Sequence, residues 1–411
     1  MQELAAYTAK YASKRVQPRP NQDENLPGQR LRGPYLSNSR GPFIYTKPIV
    51  RKIVWLFLIA VLGFGGWFAW AVFAPTEPAG QKFVMLRPGF STRRIAAELK
   101  ANGIIHNEDA FILWHYLHRR HSLKAGEYLF DKSRNIVDVH RRLVRGDVYF
   151  RTVVVPEGFT MFDIARAIEG AGLGPGADFL KVAQSDTELI SDLAPGAQSL
   201  EGYLFPDTYQ FSRMMTMREM AGAMVKQFRQ VASQIGLTQE SKIPTPEIGS
   251  SSASRSPHIE VEVNGKFVDP DKQTDELERT VIMASIIEKE TAVADERPLV
   301  ASVYYNRLQK RIALDADPSI IYAELLAGTY TGALHHDDMS FSSRYNTYKN
   351  VGLPPGPIAN PGKSALEAAM HPAQSDYYYF VADAEGHHRF ARTIEEHNKN
   401  VAAYRHAMLG H

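Results

Sequence analysis

The 411-residue sequence contains no cysteine. Disulfides and thiolate-ligated zinc are therefore excluded, and redox usage assigns no compartment. The HExxH zinc signature is also missing. Net charge is scarce, at +2. That total hides an asymmetry: residues 1–52 hold ten Lys or Arg against three Asp or Glu, a net +7 that leaves −5 for everything after. No sustained basic face of the kind used by nucleic-acid binders occurs, so nucleic acid is not an expected partner. The length allows two or three domains, each with its own core.

Charge is absent altogether from Ile53 to Ala74, IVWLFLIAVLGFGGWFAWAVFA. As a helix this run spans ~33 Å, enough for a hydrocarbon core of roughly 30 Å. Arg51 and Lys52 precede it, and Trp55, Trp67 and Trp70 suit interfacial belts. The run is too long for a signal peptide and sits behind a polar tail, residues 1–50, that reads as mostly disordered. The expectation is a single-pass anchor in the cell inner (plasma) membrane with a cytoplasmic N-terminus. Residues 75–411 then lie on the periplasmic or extracytoplasmic side, where wall polymers, lipids and exported proteins are the candidate substrates.

An internal echo follows. Gly89-Phe90-Ser91 with Ile95-Ala96 recurs 69 residues later as Gly158-Phe159-Thr160 with Ile164-Ala165. Each copy follows a strand-like run (83–86; 152–155) and a Pro, and each opens a helix capped by Ser or Thr. Each also precedes a Tyr-Leu-Phe, at 128–130 and 203–205. Two strand–helix units, 75–150 and 151–235, are the simplest account. They resemble LysM-type modules, which lay glycan chains along a shallow groove; a plain spacer is the alternative.

Two histidine groupings invite a metal reading. His115, His118 and His121 fall on one predicted helix face, but Arg119 and Arg120 crowd it and no carboxylate completes the set. His335-His336-Asp337-Asp338 lies in a loop-like setting. Both read as solvated segments, and neither a metal nor another cofactor is expected. Residues 236–275 read as an insertion, a Pro/Ser-rich linker (243–257) followed by a hairpin around Asn264-Gly265.

The chemistry is expected in a domain at 276–411. Within TVIMASIIEKETAVADERPLVASVYYNRL (280–308), Met283, Ile287 and Glu290 recur at i, i+4 and i+7 of an amphipathic helix. Glu290 ends the apolar stripe, so desolvation and the helix dipole should raise its pKa, while Lys289 and Arg297 should oppose. Glu288 reads as a solvated neighbour. Asp295 or Glu296, then Pro298, opens a second helix whose exposed end carries Asn306 and Arg307. A carboxyl kept protonated near neutrality suits general-acid work on a glycosidic oxygen. In SLEGYLFPDTYQF (199–211), Glu201 and Tyr203 offer a carboxylate and an aromatic face to a sugar ring, with core packing of Tyr203 the rival reading. Downstream come a helix from Ser319, the Pro/Gly-rich loop 352–362, a short helix from Ser364, a hairpin (377–382; 388–391) and a closing helix from Thr393. The fold class is α+β: an anchor helix, two strand–helix units, then helices on a short antiparallel sheet.

The runs PEGFT (156–160), LEGYLFPDTY (200–209), ASIIEKET (284–291), NRL (306–308), DPSIIY (317–322), YNTY (345–348), GLPPGPIANPG (352–362), HPA with YYYFVAD (371–383) and HNKNVAAYR (397–405) occur in this order. Together they resemble the endolytic murein lytic transglycosylase family, also called MltG or YceG-like, over nearly everything from residue 53. The resemblance implies cleavage of MurNAc–GlcNAc β-1,4 bonds within glycan strands, leaving a 1,6-anhydroMurNAc end. It makes the second Glu of Glu-Lys-Glu-Thr, here Glu290, the catalytic acid and then base. Tyr345, Asn346 and Thr347 would bond the sugar or its N-acetyl group, and Asp317 would orient a loop or a partner side chain. Peptidoglycan glycan strands and peptidoglycan synthases are the implied partners. Asp315 departs from the family, which commonly has Gln there. Three rivals stand: a glycan-binding adaptor without turnover, a hydrolase pairing Glu290 with Asp315 or Asp317, and, more distantly, a metalloenzyme.

Overall fold

A computed structural model describes residues 48–118, 121–238, 261–263, 266–268 and 276–409. The expected tail before residue 48, the linker at 243–257 and the hairpin turn at 264–265 lie outside the described residues. The chain divides into two units, Met1–Phe64 and Gly65–His411. Helix α1, Pro48–Phe73, supplies the described part of the first and runs on into the second. Its segment Ile49–Phe73 has a mean hydropathy of 2.1, long and apolar enough to cross a membrane.

The second unit opens with strand β1 (Lys82–Leu86), helices α2 (Thr92–Ala101) and α3 (Glu108–Leu117), and strand β2 (Gly126–Phe130), antiparallel to β1. Helix α4 (Ile136–Arg145) completes a small core with Leu99, Phe111, Tyr128 and Leu143. The order then recurs: β3 (Arg151–Val154), α5 (Met161–Gly170), α6 (Gly176–Ser185) and β4 (Thr208–Phe211), antiparallel to β3. Ser91 caps α2 by accepting from Arg94 N, and Thr160 closes a capping box with Asp163. Gly89 and Gly158 precede these caps at φ 83° and 75°, left-handed turns that favour glycine in both copies. The Tyr-Leu-Phe echo has a different outcome. Residues 128–130 lie in β2, whereas Tyr203, Leu204 and Phe205 are packed in the core ahead of β4.

Helix α7 (Met217–Ile235) follows, then strands β5 (Val261–Val263) and β6 (Lys266–Val268), paired as the expected hairpin. The C-terminal part contains α8 (Glu276–Glu290), α9 (Arg297–Gln309), α10 (Asp317–Ala327) and α11 (Lys363–Met370). Antiparallel strands β7 (Tyr379–Ala382) and β8 (His388–Ala391) and helix α12 (Ile394–Leu409) end it. Every sheet among the described residues is a two-stranded antiparallel pair. Helix α8 is buried continuously from Thr280 to Ile287, so it is a central helix and not the one-faced amphipathic helix expected. Residues of α5, α7, α8, α9 and α11 share one core, so the second strand–helix copy and the C-terminal helices are packed together.

Asn360 ties them. Its Oδ1 accepts from Gly202 N and Leu204 N, each at 2.9 Å, while Nδ2 donates to Phe159 O at 2.9 Å and Glu201 Oε1 at 2.6 Å. The backbone adds Asn360 N to Phe159 O and Gly158 N to Asn360 O. PEGFT, LEGYLF and the Pro/Gly loop are therefore three strands of chain knotted on one fully buried amide. Asn360→Ala leaves the buried N–H groups of Gly202 and Leu204 without partners and should cost on the order of 3 kcal/mol. Chemical denaturation of the two proteins checks this; equal midpoints would refute the role.

Candidate active site

Glu290 is the last residue of α8, and its half-buried carboxyl opens onto a cleft of about 500 Å³. Tyr304, from the facing turn of α9, donates its hydroxyl to Glu290 Oε1 at 2.6 Å. The Tyr304 ring is 2% exposed, and burial together with the adjacent carboxylate pushes its pKa well up, so the phenol stays a donor. For Glu290 burial is again the largest influence. It raises the pKa to about 7, the Tyr304 bond pulls down, and the Asp317 charge pushes up. The expected opposition from Lys289 and Arg297 is absent because both are engaged elsewhere. Lys289 donates to Gly158 O at 3.3 Å, and Arg297 pairs with Glu288 at 2.8 Å.

Glu288 is accordingly not a solvated neighbour. Its side chain is 4% exposed, and it also accepts from Gly362 N at 2.9 Å, joining α8 and α9 to the Pro/Gly loop. The first acid of the motif is thus structural. Arg307 corrects the other solvated reading. It is buried, donating to Ala313 O at 2.7 Å and Tyr378 O at 3.0 Å and pairing with Asp315. Asp315 holds a left-handed φ of 52°, a strained position for a non-glycine residue, with its carboxylate on Arg307.

Asp317 opens α10 and lines the cleft, and its Oδ1 accepts from Tyr348 at 2.5 Å. Of the expected sugar contacts, the structure brings only Asp317 into the cleft with Glu290. Asn346 and Thr347 are 0% and 1% exposed and lie behind it. Asn346 Nδ2 donates to Met339 O and Phe341 O, while Thr347 Oγ1 accepts from Ala316 N at 3.0 Å and meets Ser319 Oγ at 2.9 Å. Thr347 thereby fixes the start of α10, and Asn346 holds the chain at Met339 and Phe341. Tyr345 packs its ring 5.2 Å from Tyr322, in the core. Glu201 and Tyr203 are also corrections as ligands, since both are fully buried. Glu201 accepts from Met161 N and Asn360, and Tyr203 packs edge-on to Phe228 at 5.1 Å. The run of aromatics and carboxylates is a core signature here.

Sequence reading missed Tyr304, Tyr348 and the wall formed by Tyr379, Phe380, His388 and His397. Tyr304 was reachable: fourteen residues beyond Glu290, it sits where a helix folding back along α8 would bring it to the acid. The histidines read as metal candidates go elsewhere. His115 Nδ1 lies 3.0 Å from His140 Nε2, and His335 pairs with Asp338 in a 3₁₀ turn.

The arrangement could serve acid–base chemistry: one carboxyl with its pKa raised to about 7 and bonded by a phenol, in a cleft walled by aromatic rings. Tyr304→Phe removes the bond that lowers the Glu290 pKa, so the alkaline limb of a pH–rate profile should move upward. Because the carboxyl also loses its aim, the maximal rate should fall about tenfold. A profile identical to wild type would refute the assignment.

The sequence model of the YceG-like family matches residues 84–403, and the chain belongs to that family. An endolytic murein transglycosylase of Bacillus subtilis (strain 168) is 32% identical over 339 residues, covering 77% of this chain and 82% of the relative. A protein of the same name from Streptococcus pneumoniae serotype 2 (strain D39 / NCTC 7466) is 28% identical over 388 residues, covering 86% of this chain and 64% of the relative. A crystal structure of a YceG-like protein from Listeria monocytogenes is 29% identical and covers 78% of this chain and 98% of its own, with a TM-score of 0.46.

Proposed function

We propose that this chain is a membrane-anchored lytic transglycosylase that cuts murein glycan strands internally at MurNAc–GlcNAc β-1,4 bonds. The names of its relatives support the activity. The observation that carries the mechanism is the Glu290 carboxyl, held protonated to about pH 7 and bonded on Oε1 by Tyr304. Oε2 is then the oxygen directed at substrate. It gives its proton to the glycosidic oxygen as the C1–O bond breaks through an oxocarbenium-like state. The resulting carboxylate takes the proton of the MurNAc C6 hydroxyl while O6 bonds to C1, closing the 1,6-anhydro ring. No water enters, and Glu290 returns to its acid form.

Asp317 contributes charge, not nucleophilicity, because Tyr348 holds its Oδ1. The cleft nevertheless carries Asp315 and Asp317 beside Glu290, which keeps a two-carboxylate hydrolase as the second reading. Mass spectrometry of products from purified peptidoglycan separates the two. Anhydro-ended muropeptides support the transglycosylase, products heavier by one water support the hydrolase, and binding without products supports an adaptor.

The wider reading places the N-terminus in the cytoplasm by the positive-inside rule and residues 75–411 outside. The strand–helix–helix–strand units then serve as LysM-like guides that lead the glycan toward the cleft. An internal cut close to the membrane ends a growing strand, which makes peptidoglycan synthases the functional partners.

A further inference from the structure

His388 begins β8, and its ring lines the cleft that contains Glu290. Its Nδ1 lies 2.6 Å from Glu296 Oε2, and because a carboxylate only accepts, Nδ1 carries the hydrogen. The same carboxylate accepts from His388 N at 3.0 Å and lies 3.1 Å from His387 Nδ1. These two imidazoles differ in setting: the His387 side chain is 59% exposed, that of His388 only 11%. Phe380 meets the His388 ring edge-on at 5.4 Å and the Tyr304 ring at 5.8 Å. The imidazole is therefore fixed in tautomer by Glu296 and in plane by Phe380, in one aromatic wall with the phenol that aims the acid. Its Nε2 has no protein partner among the described residues.

A brace for the β7–β8 hairpin needs only the Nδ1 side of this pair. A locked ring with its second nitrogen unspent, in a cleft built for a polar substrate, has the form of a recognition group. We propose that His388 binds the substrate, its Nε2 hydrogen-bonding a hydroxyl or acetamido group of the sugar seated against β7 and β8, with Glu296 as the positioning residue behind it. This rests on the reading of the cleft as a glycan site.

Calorimetric binding of soluble, uncrosslinked murein glycan strands to the full-length Glu290→Gln protein separates recognition from turnover. Adding His388→Phe keeps a ring against Phe380 and removes both nitrogens, and Kd should rise about tenfold. Glu296→Gln should weaken binding severalfold when His388 is present and add nothing to His388→Phe, because it acts only through the imidazole. A purely structural Glu296 would weaken both backgrounds equally and overturn its positioning role. An unchanged Kd for His388→Phe overturns the proposal. If that variant melts lower than its parent, His388→Ala in the same assay carries the same two expectations. The glycan reading fails separately and earlier: the Glu290→Gln protein would then bind no strands.

Discussion

Glu290→Gln should lower the release of anhydro-ended muropeptides by about a thousandfold or more. The substitution keeps the shape of the side chain and an oxygen for the Tyr304 hydroxyl, so the cleft geometry survives. What disappears is the proton. In the proposed cycle one carboxyl protonates the leaving oxygen and then deprotonates the C6 hydroxyl, so both half-steps lose their catalyst together. A hydrolase with an independent nucleophile would lose only its acid and should retain measurable cleavage of substrates with good leaving groups. In the wild type the rate should fall as pH rises through about 7, because the acid form of Glu290 is lost there. Residual turnover within tenfold of wild type would remove Glu290 from the chemistry. A rate that held steady to pH 9 would remove its role as acid.

Glu290 was legible as the candidate acid because one helical register and one motif pointed to the same residue. Met283 and Ile287 placed Glu290 at the end of an apolar run, and the Glu-Lys-Glu-Thr motif named the same residue. Legibility stopped where burial depends on partners distant in sequence. Glu288 looked exposed by helical angle alone, yet Arg297 and the amide of Gly362 converge on it from two other segments. Arg307 sits near the end of α9, where a cation is ordinarily solvated, and is buried because two backbone carbonyls and Asp315 receive it. Tyr345, Asn346 and Thr347 were polar residues beside the expected cleft. Thr347 instead bonds inward to Ala316 and Ser319 at the start of α10, Asn346 to the carbonyls of Met339 and Phe341, and Tyr345 packs on Tyr322. The strand–helix duplication, by contrast, is local. Its caps and turns lie within a few residues, and both copies fold with the same opening, whereas the partner strand of the second begins after the Tyr-Leu-Phe run.

Stability should decline as pH rises from about 4.5 to about 8, the range set by Glu201 and Glu290, the two carboxyls raised furthest. Burial lifts Glu201 from 4.5 to about 8, against the pull of Met161 N, Tyr322 and Asn360, and lifts Glu290 to about 7. Between the unfolded and folded values the folded state holds a proton that the unfolded chain has released, so each further rise in pH favours unfolding. Below about 4.5 both states are protonated, and above about 8 neither is, so the curve should flatten at each end. From Glu201 the total is on the order of 4 kcal/mol; Glu290, open to the cleft, adds less. Glu201→Gln, whose carbonyl still accepts from Met161 N and Asn360, should remove most of the slope and leave a protein more stable than wild type at pH 8. Urea midpoints at pH 5 and pH 8 measure this, and parallel slopes for the two proteins would refute it. Glu290→Gln should give a smaller gain at pH 8 while abolishing turnover. The two acids are raised by the same desolvation, and only Glu290 opens onto space that a substrate can fill. That separates a core carboxyl, neutral because it is desolvated with no cation beside it, from one whose proton has somewhere to go.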